Sequence, residues 1–268
     1  MFKVGIVGCG AIGSYLLQAI VRNYQPAVKI AGVCELDDLK VKELSAKLKC
    51  KLKRYSLAEL VEKSDLIIEA CTAEFAVCVV EQALKFKREI MVMSVGALVN
   101  HPELIEQAVK QRINLYIPSG AVAGLDALKA ARMGKIKKVV LITKKPVQGL
   151  TGAEYIRKKN IDLSKIKTEA VIFEGSAAKA VLGFPKNINV AAILSLAGIG
   201  AKKTKVKIIA SRLISKNIHT IEILGDFGKI VCCTENVPSE LNKKTSKLAM
   251  FSALAAFERI LNKVKIGT

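Results

Sequence analysis

Six residues near the start of the chain, Gly8-Cys9-Gly10-Ala11-Ile12-Gly13, have the types and spacing to hold a diphosphate. Gly8 permits a sharp turn, Gly10 leaves bare backbone for phosphates to approach, and Gly13 lets a following helix pack close to the preceding strand. The N–H groups and positive dipole end of that helix would carry the negative charge, which adds Ala11 and Ile12 to the candidate contacts. Glu35 follows a second apolar run, Val28 to Val33, about twenty residues further on, where a dinucleotide fold carries the acid for the adenosine ribose hydroxyls. With 18 glycines in the chain such a spacing arises by chance, but strand, glycines, helix, strand and acid in this order describe a nucleotide site.

A second set of residues could move protons or hold an anion. His219 is one of two histidines, and strand alternation puts it on one face with Ile221 and Ile223. The other, His101, precedes Pro102 at a helix start, where positive charge is disfavoured, so His219 is the candidate general acid or base. On spacing alone, a core histidine bonded to backbone is the commoner reading. Ser176 in Glu174-Gly175-Ser176-Ala177 and Thr245 in Lys244-Thr245-Ser246 put hydroxyls at helix starts, where they would receive a carboxylate or act as ordinary caps. Lys186 and Asn189 lie in Phe184-Pro185-Lys186-Asn187-Ile188-Asn189, a polar stretch ahead of an apolar helix. The seven cysteines show no Cys-x-x-Cys and no neighbouring histidine pair, so neither metal nor disulfide is expected.

The elements that must position these groups alternate. Strands at Lys3–Val7, Val28–Val33, Leu66–Ala70, Glu89–Ser94 and Ile113–Pro118 are separated by helices. Among these helices, Asp37 caps one over 38–48, and Ser56 with Glu59 forms a capping box. Continuous apolar strands between helices predict an α/β, Rossmann-type doubly wound parallel sheet. Beyond Pro118 the runs Val139–Thr143, Val171–Phe173, Val206–Ala210, His219–Leu224 and Lys229–Thr234 predict a second, α+β domain with a mixed sheet, its last two strands joined by Gly-Asp-Phe-Gly. Residues 1–118 with 241–268 are assigned to the dinucleotide-binding domain, and 119–240 to a catalytic, substrate and oligomerisation domain. The active site is expected in the cleft between them.

A hydrophobic fraction of 51% over 268 residues supplies ample core. No apolar run reaches the length of a membrane span and the first strand begins at once, so a cytoplasmic protein without membrane association is expected. The net charge of +20 is spread along the chain and aromatics make up only 5%, which argues for a solvated basic surface and against nucleic acid.

These stretches together resemble the L-aspartate dehydrogenase family: the glycine loop, Ser119-Gly120-Ala121, Gly124-Leu125-Asp126-Ala127, Phe173 to Ala177, Phe184 to Ala192, Asn217-Ile218-His219 and Lys244-Thr245-Ser246 follow in order. The resemblance implies NAD(P)-dependent oxidative deamination of L-aspartate to iminosuccinate, which water converts to oxaloacetate and ammonia, and a supply of iminosuccinate for NAD biosynthesis. It implies a homo-oligomer, a dimer or larger. It gives His219 the position of the active-site histidine, and Ala121 and Asn189 positions that contact the cofactor. Ser176, Lys186 and Thr245 remain candidates for the substrate carboxylates. NAD is expected over NADP, because Glu35 would repel a 2′-phosphate and no arginine follows at Leu36 or Asp37. Two rivals are a related two-domain enzyme, like homoserine dehydrogenase or dihydrodipicolinate reductase, and a non-catalytic NAD-sensing or nucleic-acid-binding protein.

Overall fold

The computed structural model describes residues 1–184, 189–243 and 245–267. Two compact units divide the chain, residues 1–118 with 250–261 and residues 119–249 with 262–267.

In the first unit, β-branched runs buried on both faces form parallel strands, and each returns through a helix. The order is β1 (Phe2–Val7), α1 (Ala11–Asn23), β2 (Val28–Cys34), α2 (Asp38–Leu48), α3 (Leu57–Glu62), β3 (Leu66–Glu69), α4 (Ala73–Lys85), β4 (Glu89–Val92), α5 (Val95–Asn100), α6 (Pro102–Gln111) and β5 (Leu115–Tyr116). The sheet runs β2-β1-β3-β4-β5, all parallel. Strand order reverses between β1 and β3, the switch point beyond whose carboxyl ends such sheets bind ligands. Both expected caps form: Asp37 accepts from the amides of Leu39 and Lys40, and Ser56 and Glu59 close a capping box. The strand expected over 113–118 contracts to β5, and α5 occupies a segment with no helical pattern of its own.

The second unit contains α7 (Leu125–Ala131), β6 (Ile136–Pro146), α8 (Glu154–Lys158), β7 (Glu169–Ser176), α9 (Ala177–Gly183), α10 (Asn189–Ala197), β8 (Lys205–Ser211), β9 (Asn217–Gly225) and β10 (Gly228–Asn236). Its sheet runs β10-β9-β6-β8-β7; β6 and β8 are parallel and the other pairs antiparallel. One face buries Val139, Leu141, Val206, Ile208, Ile221 and Ile223. Helix α9 packs against β7 and β8, and α10 packs on α9 and α7. Val171, Leu224 and Val231 are exposed on the opposite face.

The last helix, α11 (Lys247–Leu261), starts in the second unit and returns to the first. The returning part is 250–261, whereas 241–249 stay with the second unit, because the amides of Ser239 and Lys247 bond to Thr245 and Val237 and Pro238 bridges to Ser246. Ala253 and Phe257 are fully buried in the first unit's core. Phe257 meets the Tyr24 ring edge-on at 5.4 Å, and Tyr24 Oη donates to Glu258 Oε1 at 2.6 Å. Phe257→Ala is expected to lower stability by about 3 to 5 kcal/mol through the cavity it leaves; the check is urea unfolding of the first-unit transition. No described helix is long and apolar enough to cross a membrane.

Candidate functional site

The glycine loop joins β1 to α1. Gly8 sits at φ +88°, and its amide donates to Cys34 O at 2.9 Å, which ties the turn to the end of β2. Gly10 is the N-cap residue of α1 and offers no side chain. The first turn of α1, with Ala11, Ile12 and Gly13, carries no acidic residue, whereas α2 and α3 satisfy their starts with Asp37 and with Ser56 and Glu59. A helix start left bare on an α/β sheet, beside a glycine with open space around its missing side chain, suits a diphosphate.

Glu35 follows β2 and turns back onto the loop. Its Oε2 accepts from the Cys9 amide at 2.7 Å, and its Oε1 from the amides of Leu36 at 2.9 Å and Asp37 at 3.3 Å. Desolvation raises its pKa, but the bonds from Cys9 and Asp37 and the Lys40 charge outweigh it and hold the carboxyl below the usual range. The acid expected at the ribose also fixes the turn that would cradle the phosphates.

Glu69, which the sequence reading passed over, ends β3 at the switch point. It is fully buried and accepts from the amides of Cys71, Met93 and Ser94 at 2.9, 3.0 and 2.8 Å, and from Ser94 Oγ at 2.9 Å. Burial pushes its carboxyl up while these donors pull it down. One side chain thereby fixes the ends of both β3 and β4.

In the second unit, His219 is 5% exposed on β9 and faces the covered side of the sheet. Antiparallel register sets Thr143 of β6 and Thr234 of β10 directly opposite it, so all three point the same way. His219 Nδ1 lies 3.0 Å from Thr143 Oγ1. Thr234 Oγ1 and Asn236 Nδ2 each donate to Ala121 O at 3.0 Å, which pins the Ser119-Gly120-Ala121 loop beside the same row. Asn236 Oδ1 in turn accepts from Ser246 Oγ at 2.7 Å. The His219 ring thus bonds to the Thr143 side chain, where the commoner reading expects a bond to backbone. Burial first, and then the Lys145 charge, depress its pKa to about 3, so the imidazole is neutral at neutral pH.

The other predicted residues have local partners of their own. Ser176 Oγ accepts from the Lys179 amide at 3.3 Å as the cap of α9, the ordinary structural role. Asn189 opens α10 and is exposed. Thr245 is held through its backbone, donating to Asn242 O at 2.8 Å and accepting from the Ser239 amide at 2.7 Å. Lys186 lies outside the described residues. Lys145, buried on β6, was missed although a signal existed: it continues the alternation Val139, Leu141, Thr143 onto the apolar face.

Comparison with known proteins adds a further finding. Residues 126–260 match the family model described as aspartate dehydrogenase, C-terminal, and residues 8–118 the model described as homoserine dehydrogenase, NAD binding domain. An L-aspartate dehydrogenase of Methanosarcina acetivorans is 43% identical over 272 residues, covering all of both chains. The crystal structure of an aspartate dehydrogenase from Thermotoga maritima aligns over the whole of both chains at TM-score 0.78 and 24% identity. A scyllo-inositol dehydrogenase of Lactobacillus casei, solved with NAD(H) and scyllo-inositol, has the same fold at TM-score 0.54 and 14% identity, covering this whole chain and 91% of that one.

Proposed function

We propose, from the premise that this chain belongs to the L-aspartate dehydrogenase family, that it oxidises L-aspartate to iminosuccinate, which water converts to oxaloacetate and ammonia. NAD is the cofactor, and when bound it supplies the acceptor for the hydride that leaves Cα. Gly8, Gly10, Ala11, Ile12, Gly13 and Glu35 hold its adenosine diphosphate half, while Ala121 and Asn189 serve the nicotinamide half. The observation that carries the reading is His219, buried among apolar side chains, oriented by Thr143, and set in one row with the residue that pins Ala121. Hydride leaves Cα only when the amine is unprotonated, so the site needs a proton acceptor. With Nδ1–H donated to Thr143 Oγ1, the Nε2 lone pair of His219 takes the proton of the substrate ammonium and later releases it to solvent. Ser176, Lys186 and Thr245 are proposed to steady the carboxylates.

An amino-acid panel with NAD and NADP, followed by nicotinamide absorbance, tests this directly: aspartate should be the substrate turned over, and a preference for any other amino acid would overturn it. NAD should be preferred to NADP. Glu35→Ser should shift the ratio of kcat/KM toward NADP by about tenfold or more, since it removes an anion worth about 1.4 kcal/mol of discrimination. The shift is expected because Lys40 Nζ lies 3.9 Å from the Glu35 carboxylate and Arg54 Nε donates to Glu35 O at 2.7 Å, leaving cations for a 2′-phosphate. An unchanged ratio would remove Glu35 from the ribose.

The same reading extends to context. The exposed apolar side chains Val171, Leu224 and Val231 suit burial against a second copy, in keeping with a homodimer. Seven free cysteines suit a reducing cytoplasm. The product feeds pyridine nucleotide biosynthesis.

A further inference from the structure

Five lysines gather around one cavity of the first unit, and none of the groups assigned to cofactor or substrate lines it. The cavity encloses about 390 Å³, and its 12 lining residues include Lys3, Lys29, Lys51, Lys53, Lys63 and Tyr55 but no aspartate or glutamate. The chain as a whole has 43 basic and 23 acidic residues, so five cations against no carboxylate exceeds its general excess of lysine. The volume falls within the range of small-molecule sites, about 300 to 1,000 Å³.

The fold itself brings these charges together. Lys3 and Lys29 are the second residues of β1 and β2, and the parallel register pairs them directly. Like charges set opposite each other on neighbouring strands are destabilising. Strand β2 is the edge of the sheet, and residues 53–55 lie along its outer side, where the Val33 amide donates to Lys53 O and the Tyr55 amide to Val33 O, each at 2.9 Å. Extended chain alternates, so Lys51, Lys53 and Tyr55 line the cavity while Arg54 turns to Glu35 O and Asp38. Tyr55 lies on Gly32, where a Cβ would stand 2.6 Å from the ring. Lys63, the C-cap residue of α3, holds its Nζ 5.5 Å from the centre of the same ring.

All five lysines are exposed, and among the described residues none of them forms an ion pair. Two acids near them are engaged otherwise: Glu59, which feels the Lys63 charge, closes the capping box with Ser56, and Asp65 Oδ2 accepts from the Lys3 amide at 2.8 Å. Converging like charges on a cavity weakens a fold, and an anion of several charges reverses the sign. Lysine is a compact point charge with three donors, suited to phosphate oxygens. A strand of nucleic acid would ask for a long groove with successive aromatic platforms, whereas one concave site with a single ring fits a small molecule.

We propose that this cavity is a second anion site, apart from the glycine loop, which binds a short chain of phosphates, either free or as the tail of a nucleotide. It lies beside the amino-terminal half of β2, whereas the glycine loop leaves the carboxyl end of β1. The inference does not depend on the aspartate reading.

The test titrates tripolyphosphate into the full chain by calorimetry, with and without saturating NAD. Wild type should bind more tightly than about 1 mM, and NAD should change the affinity by less than about threefold. The double variant Lys3→Gln with Lys53→Gln removes two charged donors and should weaken binding by about tenfold to a hundredfold or more. Lys137→Gln with Lys138→Gln removes the same charge from exposed positions of the second unit and should stay within about threefold of wild type. Lys3→Gln should also melt no lower than wild type, since it relieves the pair with Lys29. In wild type, tripolyphosphate should slow acetylation of the five lysines, read by mass spectrometry. ATP bound at least as tightly, with the same loss in the Lys3 and Lys53 variant, assigns the nucleotide tail; weaker ATP binding with that loss assigns the free chain. Equal losses in the two double variants would mean diffuse attraction to a basic surface and overturn the site, as would competition by NAD or wild-type binding weaker than about 1 mM. A single-stranded oligonucleotide held more tightly than tripolyphosphate, and released by the Lys3 and Lys53 substitutions, would overturn it in favour of a nucleic-acid face. If that variant does not fold, Lys29→Gln with Lys51→Gln is read by the same titration.

Discussion

His219→Ala is expected to lose about a hundred- to ten-thousandfold in aspartate turnover while the chain stays folded and NAD-competent, the range set by removal of a positioned general acid/base. The side chain has the position for that role: it is buried, bonded to Thr143 through one ring nitrogen, and neutral at neutral pH. Structural loss alone predicts something else. Removing the imidazole leaves Thr143 without that partner and lowers stability by about 1 to 3 kcal/mol, with turnover per folded molecule near normal. Turnover normalised to folded, NAD-binding protein decides between them, and a drop below about tenfold would return His219 to a packing role.

The same burial fixes the sign of a pH effect. His219 titrates at about 3 in the fold against 6.5 in the unfolded chain, so between these values the unfolded state binds the extra proton. Stability contributed at neutral pH is therefore lost as pH falls from 6.5 toward about 3. Lys145 acts likewise in an alkaline window, its folded value of about 8 lying below the ordinary 10.5, so stability rises as pH rises through that range. His219→Ala should flatten the acid limb and leave the alkaline one.

What the sequence discloses is what local chemistry decides. The turn at Gly8, the Asp37 cap and the Ser56–Glu59 box each need only a few consecutive residues, and each forms where its residues stand. Helix α5 needs more. Its segment, Val95-Gly96-Ala97-Leu98, mixes the strong helix formers Ala97 and Leu98 with the poor ones Val95 and Gly96, and its start is fixed by Ser94, whose amide and hydroxyl bond to Glu69, 25 residues away. No window read in isolation contains that contact. The polar end of the second sheet is a harder case of the same kind, because Thr234 reaches Ala121 across 113 residues. Lys145 was within reach, since the alternation runs through it, but the consecutive polar residues Lys144 and Lys145 ahead of Pro146 read as the end of a strand. In the structure the strand continues to Pro146, as Lys145 pairs with Ala210 and Pro146 with Ser211 of β8.

Substitutions within the glycine loop should separate binding from folding, though the residues are nearly adjacent. A Cβ added at Gly10 meets no atom within 4 Å, and its φ of −69° is open to any residue, so Gly10→Ala should melt like wild type. The space it fills is the one that the diphosphate would take, and NAD affinity should fall about a hundredfold or about 2.7 kcal/mol. Gly13 behaves oppositely. A Cβ there would stand 1.9 Å from Gly8 O, a backbone atom that cannot swing aside, so α1 must move away from β1. Overpacking of this sort costs about 1 to 3 kcal/mol or more, and it should appear as a lowered Tm before any ligand is added. Gly8 shares the second fate, since its Cβ would lie 2.6 Å from Ala70 O at a φ of +88° that L side chains rarely adopt. The experiment pairs thermal melting of the apo protein with NAD titration for Gly10→Ala and Gly13→Ala. Undiminished NAD affinity in Gly10→Ala would take the diphosphate off this loop, and a wild-type Tm in Gly13→Ala would mean that α1 does not pack as closely on Gly8 as the geometry requires.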